Sequence, residues 1–294
     1  MEGRIMDARS FHASRRYADT ALGRVAYVER GSGPLAIFVH GFPLNGFQWR
    51  DVIEKLAGVR RCVALDQMGL GHTQVSANQA LGLPDQAAMV AAVAETLGAD
   101  RVDLVGNDSG GGICQAFAAR FPERVRSLTL TNCEVHDYWP NAALKNFYDS
   151  WRAGAVVPAL QAMLNDPSAA RAGFAPAYED PAHLTDEAVR VYLEPILATE
   201  ERIATLTRLV LTNTDPALTV ALEPALKRLQ APTFVIWADA DVFFDSRSKH
   251  WLEQSIPGFR KLVSVPEAKL FFPEERPALV AEALREFWAD LGQQ

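Results

Sequence analysis

The chain has 294 residues, 49% hydrophobic and 22% charged, a composition typical of a soluble globular protein that buries a sizeable core. Its net charge of −7 disfavours nucleic acid as a partner, since phosphate binding needs a concentrated basic surface. The three cysteines, Cys62, Cys114 and Cys133, lack metal-binding spacing, so we expect buried thiols and neither a metal nor a cofactor. No signal peptide and no membrane-length apolar run are recognised, which favours a cytoplasmic protein without membrane contact.

Short apolar runs alternate with segments of helical periodicity along most of the chain. The first half predicts strands at 24–31, 35–41, 60–66, 101–108 and 125–133, with helices at 83–98 and 110–121. The last part predicts strands at 231–239 and 260–268, with helices at 248–256 and 277–292. This alternation predicts an α/β fold with a mostly parallel sheet that is flanked by helices.

The alternation is interrupted between the two halves of the predicted sheet. Residues 136–228 carry helical patterns and no clear strand. We therefore predict a helical cap at 136–228, inserted between a first core part at 1–135 and a second core part at 229–294. Aromatic side chains in the cap are candidates for lining an apolar pocket or for ordinary packing: Tyr138, Trp139, Phe147, Tyr148, Trp151, Phe174, Tyr178 and Tyr192.

The most informative segment is DLVGNDSGGG, in which Gly106, Asp108 and Gly110 have the spacing of a nucleophile elbow. A sharp turn from strand to helix strains the middle residue and needs small neighbours where strand and helix pass closely. The middle side chain then stands beside a helix N-terminus, which favours negative charge. A second register would place Ser109 at the turn, with asparagine instead of glycine as its first neighbour.

Three segments in this order resemble the α/β-hydrolase superfamily: HGFPLNGFQWR at 40–50, DQMGLGHT at 66–73 and the elbow LVGNDSGG. An aspartate at the elbow resembles the branch of epoxide hydrolases and of haloalkane and fluoroacetate dehalogenases. The resemblance implies that Asp108 attacks carbon and forms a covalent ester, which water then hydrolyses. It also implies that the backbone N–H groups of Phe42 and Ser109 form the oxyanion hole, whereas His40 only shapes the loop.

Two positions depart from the dehalogenases of this branch. Ser109 stands where tryptophan or arginine is usual, and Phe42 stands where haloalkane dehalogenases have a halide-binding asparagine. Both changes weaken a halide site. We therefore rank epoxide hydrolysis above haloalkane dehalogenation.

The acid and base of the expected triad follow later strands. The segment VIWADAD resembles the family's acid loop and aligns Asp241 with the acid, with Asp239 and Glu134 as alternatives. The position of the family's histidine is occupied by Leu270. Candidate replacements for the missing base are His136, which is ranked first, and then His183, Lys269, Glu267 and Glu274.

The leading functional hypothesis is a hydrolase of a small organic electrophile, an epoxide, a carbon–halogen compound or an ester, with an atypical triad. One alternative is a lyase-type enzyme on the same fold that uses Asp108 as an acid or base. Another alternative is a catalytically silent protein that binds a ligand. In each case the expected partner is a small molecule, and nothing in the sequence indicates an oligomeric state.

Overall fold

The structure is a computed structural model that describes residues 6–292. The ends of the two predicted core parts, residues 1–5 and 293–294, lie outside the described residues. The strands of the sheet are β1 (Arg15–Thr20), β2 (Gly23–Arg30), β3 (Leu35–Val39), β4 (Arg61–Leu65), β5 (Val102–Gly106), β6 (Val125–Thr131), β7 (Thr233–Ala238) and β8 (Phe259–Val265). Their order in space is β1-β2-β4-β3-β5-β6-β7-β8.

Helices connect and cover these strands. They are α1 (Ala8–Ala13), α2 (Arg50–Leu56), α3 (Leu83–Thr96), α4 (Ser109–Arg120), α5 (Ala142–Arg152), α6 (Val156–Asn165), α7 (Pro167–Phe174), α8 (Asp186–Leu197), α9 (Glu200–Thr212), α10 (Ala217–Val220), α11 (Glu223–Leu226), α12 (Arg247–Ser255), α13 (Phe272–Glu275) and α14 (Pro277–Leu291). Among these, α5 to α11 follow β6 and precede β7. The proposed cap, 136–228, contains this group of helices.

The sheet is parallel from β4 through β3, β5, β6 and β7 to β8, and antiparallel where β2 pairs with β1 and β4. The central strands β3, β5 and β7 are buried along their whole length, because helices cover both faces of a parallel sheet. The prediction of a mostly parallel sheet flanked by helices is confirmed.

Four elements of the core were not predicted from the sequence: strand β1 and the helices α1, α2 and α13. Strand β1 has the polar sequence RRYADT and lies at the edge of the sheet, so it lacks the apolar run that marks a buried strand. Helix α2 has only seven residues, which is too short to show a clear helical period. None of these elements contributes a side chain to the lining of the cavity described below.

The strands β3, β5, β6 and β7 bring the candidate site residues together because all four strands run in the same direction. The loops that follow their carboxyl ends meet at one edge of the sheet, where ligands of parallel sheets usually bind. Phe42 follows β3, Asp108 follows β5, Glu134 follows β6 and Asp241 follows β7.

Candidate active site

Asp108 lies at the turn between β5 and α4, and its backbone has φ 54° and ψ −131°. A positive φ is strained for a residue with a side chain, and it lifts the carboxyl group above the sheet. Ser109 is already the first residue of α4. The strained turn is therefore at Asp108, the residue that the first of the two registers places there.

The glycines around this turn are needed for space. A Cβ atom on Gly110 would lie 2.2 Å from the carbonyl oxygen of Val39 and 2.5 Å from that of His40. A Cβ atom on Gly106 would lie 2.5 Å from the carbonyl oxygen of Gly110. Helix α4 can thus pass close to β3 and β5 only because these positions lack side chains.

We expect Gly110→Ala to lower the free energy of unfolding by about 3 kcal/mol or more, because the new methyl group overlaps backbone atoms that cannot move independently. Urea unfolding at neutral pH measures the change. Gly58→Ala is the matched control, since nothing lies within 4 Å of a Cβ atom at that position. Equal stability of the two variants would contradict the close packing of α4 against β3.

Two backbone N–H groups donate hydrogen bonds to the carboxylate of Asp108. The N–H of Phe42 donates to Oδ2 of Asp108 at 2.7 Å, and the N–H of Ser109 also donates to this carboxylate and lowers its pKa. The N–H of Asp108 itself donates to the carbonyl oxygen of Asn132 at 2.7 Å. The carboxyl group is thereby fixed at the end of β5 beside two donors that suit a developing oxyanion.

His40 supports the loop that carries Phe42. Its Nε2 accepts a hydrogen bond from the N–H of Gln67 at 3.0 Å, and the side chain of Gln67 donates back to the carbonyl oxygen of His40. Burial lowers the pKa of His40 to about 4, so the ring is neutral at physiological pH. His40 does not line the cavity above Asp108.

A cavity of about 560 Å³ lies between the sheet edge and the cap helices. Asp108 opens onto it, together with side chains that are mostly apolar. Aromatic and aliphatic members of the lining include Phe42, Leu83, Ile113, Trp139, Phe147, Leu160, Phe174, Leu209, Leu270 and Phe271. Asp108 and Glu134 are the charged side chains of the lining within residues 6–292, and no arginine, lysine or histidine contributes to it there.

Glu134 is the second carboxyl group of this cavity. Its Oε2 atom is buried and has no hydrogen-bond partner among residues 6–292. Burial raises the pKa of Glu134 to about 7. Burial also raises the pKa of Asp108, and the neighbouring Glu134 raises it further, because two like charges in an apolar cavity disfavour joint ionisation.

Asp241 lies beside the elbow in the position expected for the triad acid. The side-chain amide of Asn132 donates to Oδ2 of Asp241 at 2.8 Å, and the N–H of Phe243 donates to Oδ1 at 2.8 Å. Burial raises the pKa of Asp241 to about 6, although these hydrogen bonds act to lower it. Asp239, the sequence alternative, instead pairs with the buried ammonium group of Lys249.

Leu270 occupies the place where the resemblance expects histidine. The side chain is 5% exposed and lines the cavity. Its backbone carbonyl accepts a hydrogen bond from the side chain of Asn107 at 3.0 Å, which holds the loop after β8 against the elbow. The loop geometry is thus present, but the residue that the loop presents cannot carry a proton.

The other candidate bases lie away from Asp108. The His136 ring pairs with Asp137 and Glu223 and stacks on Trp251, and His136 does not line the cavity. The placement of His136 therefore does not support its first rank among the candidate bases, whereas Glu134, which the sequence offered only as an alternative acid, lines the cavity. The remaining candidates, His183, Lys269, Glu267 and Glu274, do not line the cavity either.

Glu274 has a structural environment of its own. Its carboxylate forms an ion pair with Arg50 of the core. It also accepts hydrogen bonds from the hydroxyls of Tyr178 at 2.7 Å and Tyr192 at 2.8 Å, which both belong to the proposed cap. Two of the cap tyrosines named from the sequence therefore connect the proposed cap to the core through hydrogen bonds.

Tyr148 differs from these two tyrosines because it lines the cavity. Its hydroxyl makes no hydrogen bond to another residue within 6–292. Burial raises the pKa of Tyr148, and the carboxyl groups of Glu134 and Asp108 raise it further. The hydroxyl therefore stays protonated and is a donor available to a ligand. Trp139, Phe147 and Phe174 also line the cavity, whereas Tyr138 and Trp151 do not.

The three thiols, Cys62, Cys114 and Cys133, are buried and unpaired. Within residues 6–292, no group of three or more histidine, cysteine, aspartate or glutamate side chains is arranged to hold a metal ion. In the same part of the chain, no helix has the length and apolar character to span a membrane.

Comparisons with known proteins agree with this architecture. A family model described as alpha/beta hydrolase fold matches residues 34–276. Haloalkane dehalogenase 2 of Mycobacterium bovis is 29% identical over 290 residues, which cover 95% of this chain and 96% of the relative. Epoxide hydrolase 1 of Caenorhabditis elegans is 32% identical over 139 residues, which cover 46% of this chain and 33% of the relative. The solved structure of the epoxide hydrolase CorEH without ligand has a TM-score of 0.77 at 22% identity and covers 94% of this chain and 99% of that one.

Proposed function

Because this chain belongs to the α/β-hydrolase family, we propose that it hydrolyses an organic epoxide through a covalent ester on Asp108. One observation carries the proposal: the carboxylate of Asp108, held at 2.7 Å by the N–H of Phe42, opens onto an apolar cavity of about 560 Å³. An anionic nucleophile in a cavity of this kind is poorly solvated, and its attack on a bound electrophile needs little reorganisation.

The proposed reaction begins when one oxygen of Asp108 attacks a ring carbon of the epoxide. The carbon–oxygen bond of the ring breaks, and its electron pair stays on the ring oxygen, which must gain a proton. Water then attacks the carbonyl carbon of the ester, and the N–H groups of Phe42 and Ser109 stabilise the oxyanion. Collapse of this intermediate releases a diol and restores Asp108.

The donors around the cavity favour an epoxide over an alkyl halide. Tyr148 lines the cavity, and its hydroxyl, whose pKa the carboxyl groups of Glu134 and Asp108 raise, is suited to donate to a ring oxygen. Ser109 donates its hydroxyl to Gln67 at 3.4 Å, and Phe42 has an apolar side chain. These two positions therefore lack the side-chain donors that would hold a departing halide.

We expect the protein to convert neutral epoxides such as styrene oxide to diols, and to carry oxygen from water into Asp108. Single turnover in H₂¹⁸O should label Asp108 and leave the first diol unlabelled, because water attacks the ester carbonyl and not the epoxide. Peptide mass spectrometry locates the label. Alkyl bromides and activated esters complete the panel. Direct transfer of ¹⁸O into the diol, with Asp108 unlabelled, would refute the covalent route.

A further inference from the structure

We propose that Glu134 is the proton-transfer residue of this site and takes the part that the absent histidine would play. Glu134 would protonate the ring oxygen when Asp108 attacks, and would then remove a proton from the hydrolytic water. The inference rests on the proposed function, because it needs an ester on Asp108.

The placement of Glu134 is the first argument. Glu134 and Asp108 line the same cavity, and Oε2 of Glu134 is buried without a partner among the described residues. A buried carboxylate oxygen without a donor is costly, so such an atom needs a compensating role or a ligand. A water or a substrate oxygen bound in the cavity would supply the missing partner.

The surroundings of Glu134 hold it in this position. The side-chain amide of Gln115 on α4 donates to the backbone carbonyl of Glu134 at 2.7 Å. A Cβ atom on Gly112 would come within 3.2 Å of Oε2 of Glu134. The first turn of α4 therefore leaves room for the carboxyl group directly beside the elbow, and it fixes the backbone that carries this group.

Electrostatics is the second argument. The titratable groups that act on this region are Asp108 from the elbow, Tyr148 from α5, Cys133 from the end of β6 and Asp241 after β7. No cation lines the cavity within residues 6–292. Burial brings the pKa of Glu134 to about 7, and a group with a pKa near the working pH is the most effective acid and base.

The two carboxyl groups share one proton, and each turnover restores it to Glu134. The reactive form of the pair carries one proton, with Asp108 ionised beside the N–H groups of Phe42 and Ser109 and with Glu134 protonated. Ring opening transfers the Glu134 proton to the ring oxygen. The Glu134 carboxylate then takes a proton from water while the hydroxide attacks the ester carbonyl. When the intermediate collapses, Glu134 returns this proton to the departing alkoxide. The proton left on Asp108 passes to Glu134, so that an epoxide and one water give one diol.

The test is Glu134→Gln, followed by intact-mass spectrometry during turnover of styrene oxide. The amide retains the size of the side chain but cannot accept the proton from water. We expect turnover to fall about 100-fold or more, and we expect most of the variant to carry a covalent adduct on Asp108 at steady state. Wild-type ester hydrolysis should increase with pH up to about 7, and the variant should lose this inflection.

Glu267→Gln is the matched control, because Glu267 is exposed and lies outside the cavity; it should behave as wild type. Chemical rescue separates proton transfer from packing: added formate should restore turnover to Glu134→Gly by occupying the vacated space. A Glu134→Gln protein whose Asp108 ester, once formed, is hydrolysed as fast as in wild type, or that turns over as wild type, overturns the role of Glu134. If the wild type itself incorporates no ¹⁸O at Asp108, the proposed function fails instead.

Discussion

Asp108→Asn is expected to reduce epoxide turnover by about 10,000-fold or more, the scale seen when an enzyme loses its nucleophile. The amide has nearly the same shape and can remain beside the N–H of Phe42, but it is a far weaker nucleophile than a carboxylate. The measurement is diol formation, with intact mass as a check that the amide has not been hydrolysed back to aspartate. Activity within about tenfold of wild type, with the amide intact, would remove Asp108 from the mechanism.

The pH dependence of the stability of the same variant shows whether unfolding, and not loss of the nucleophile, causes the loss of turnover. The pKa of Asp108 is raised in the folded protein by burial and by Glu134. A carboxyl group of this kind favours the folded state below its unfolded pKa, and the contribution is lost as pH rises through the folded value. Asp108→Asn should therefore be relatively more stable than wild type at alkaline pH, and this advantage should shrink towards acidic pH. Thermal unfolding at several pH values measures this difference.

Leu270→His is expected to raise the rate of ester hydrolysis, by about 100-fold where Glu134 has been replaced by glutamine. The reason is that Leu270 lines the cavity that Asp108 opens onto, on a loop fixed by the hydrogen bond from Asn107. An imidazole there has a pKa suited to general-base catalysis near neutrality. Pre-steady-state decay of the Asp108 adduct in the double variant Glu134→Gln/Leu270→His measures the gain.

This variant also tests the role of Asp241. In the natural chain, Asp241→Asn should change turnover little, because no histidine needs orientation. In the Leu270→His background the same replacement should remove most of the gain, since Asp241 would hold the imidazole in its productive tautomer. A folded Leu270→His protein without faster adduct decay would show that the loop after β8 cannot present a working base.

The elbow could be predicted from the sequence because its constraints are local. Close contacts between backbone segments require glycine at positions 106 and 110. Because both contacts belong to one short turn, the two glycines have a fixed spacing in the sequence. The buried strands could be predicted for a similar reason, since a strand that is covered on both faces must be apolar throughout. The polar edge strand β1 carries no such constraint, and it was missed.

The placement of the candidate proton-transfer groups could not be predicted because it depends on how one loop turns. His136 and Glu134 are two residues apart after β6, and His136 ranked first among the candidate bases because it stands where the chain enters the proposed cap. The backbone of His136 adopts a φ of 48°, and its ring then pairs with Glu223 and stacks on Trp251. Glu134 remains in the cavity instead. The partners of His136 come from distant parts of the chain, so no local pattern indicates this exchange.

No cation lines the cavity within residues 6–292, and this affects which molecules can enter it. Two carboxyl groups in an apolar enclosure create a negative potential that mobile ions of the solvent hardly screen. An organic acid would lose its hydration on entry and would meet repulsion in place of a counter-ion. We therefore expect haloacids such as fluoroacetate to be rejected by charge before their reactive carbon reaches Asp108, and uncharged lipophilic molecules to enter without this electrostatic barrier.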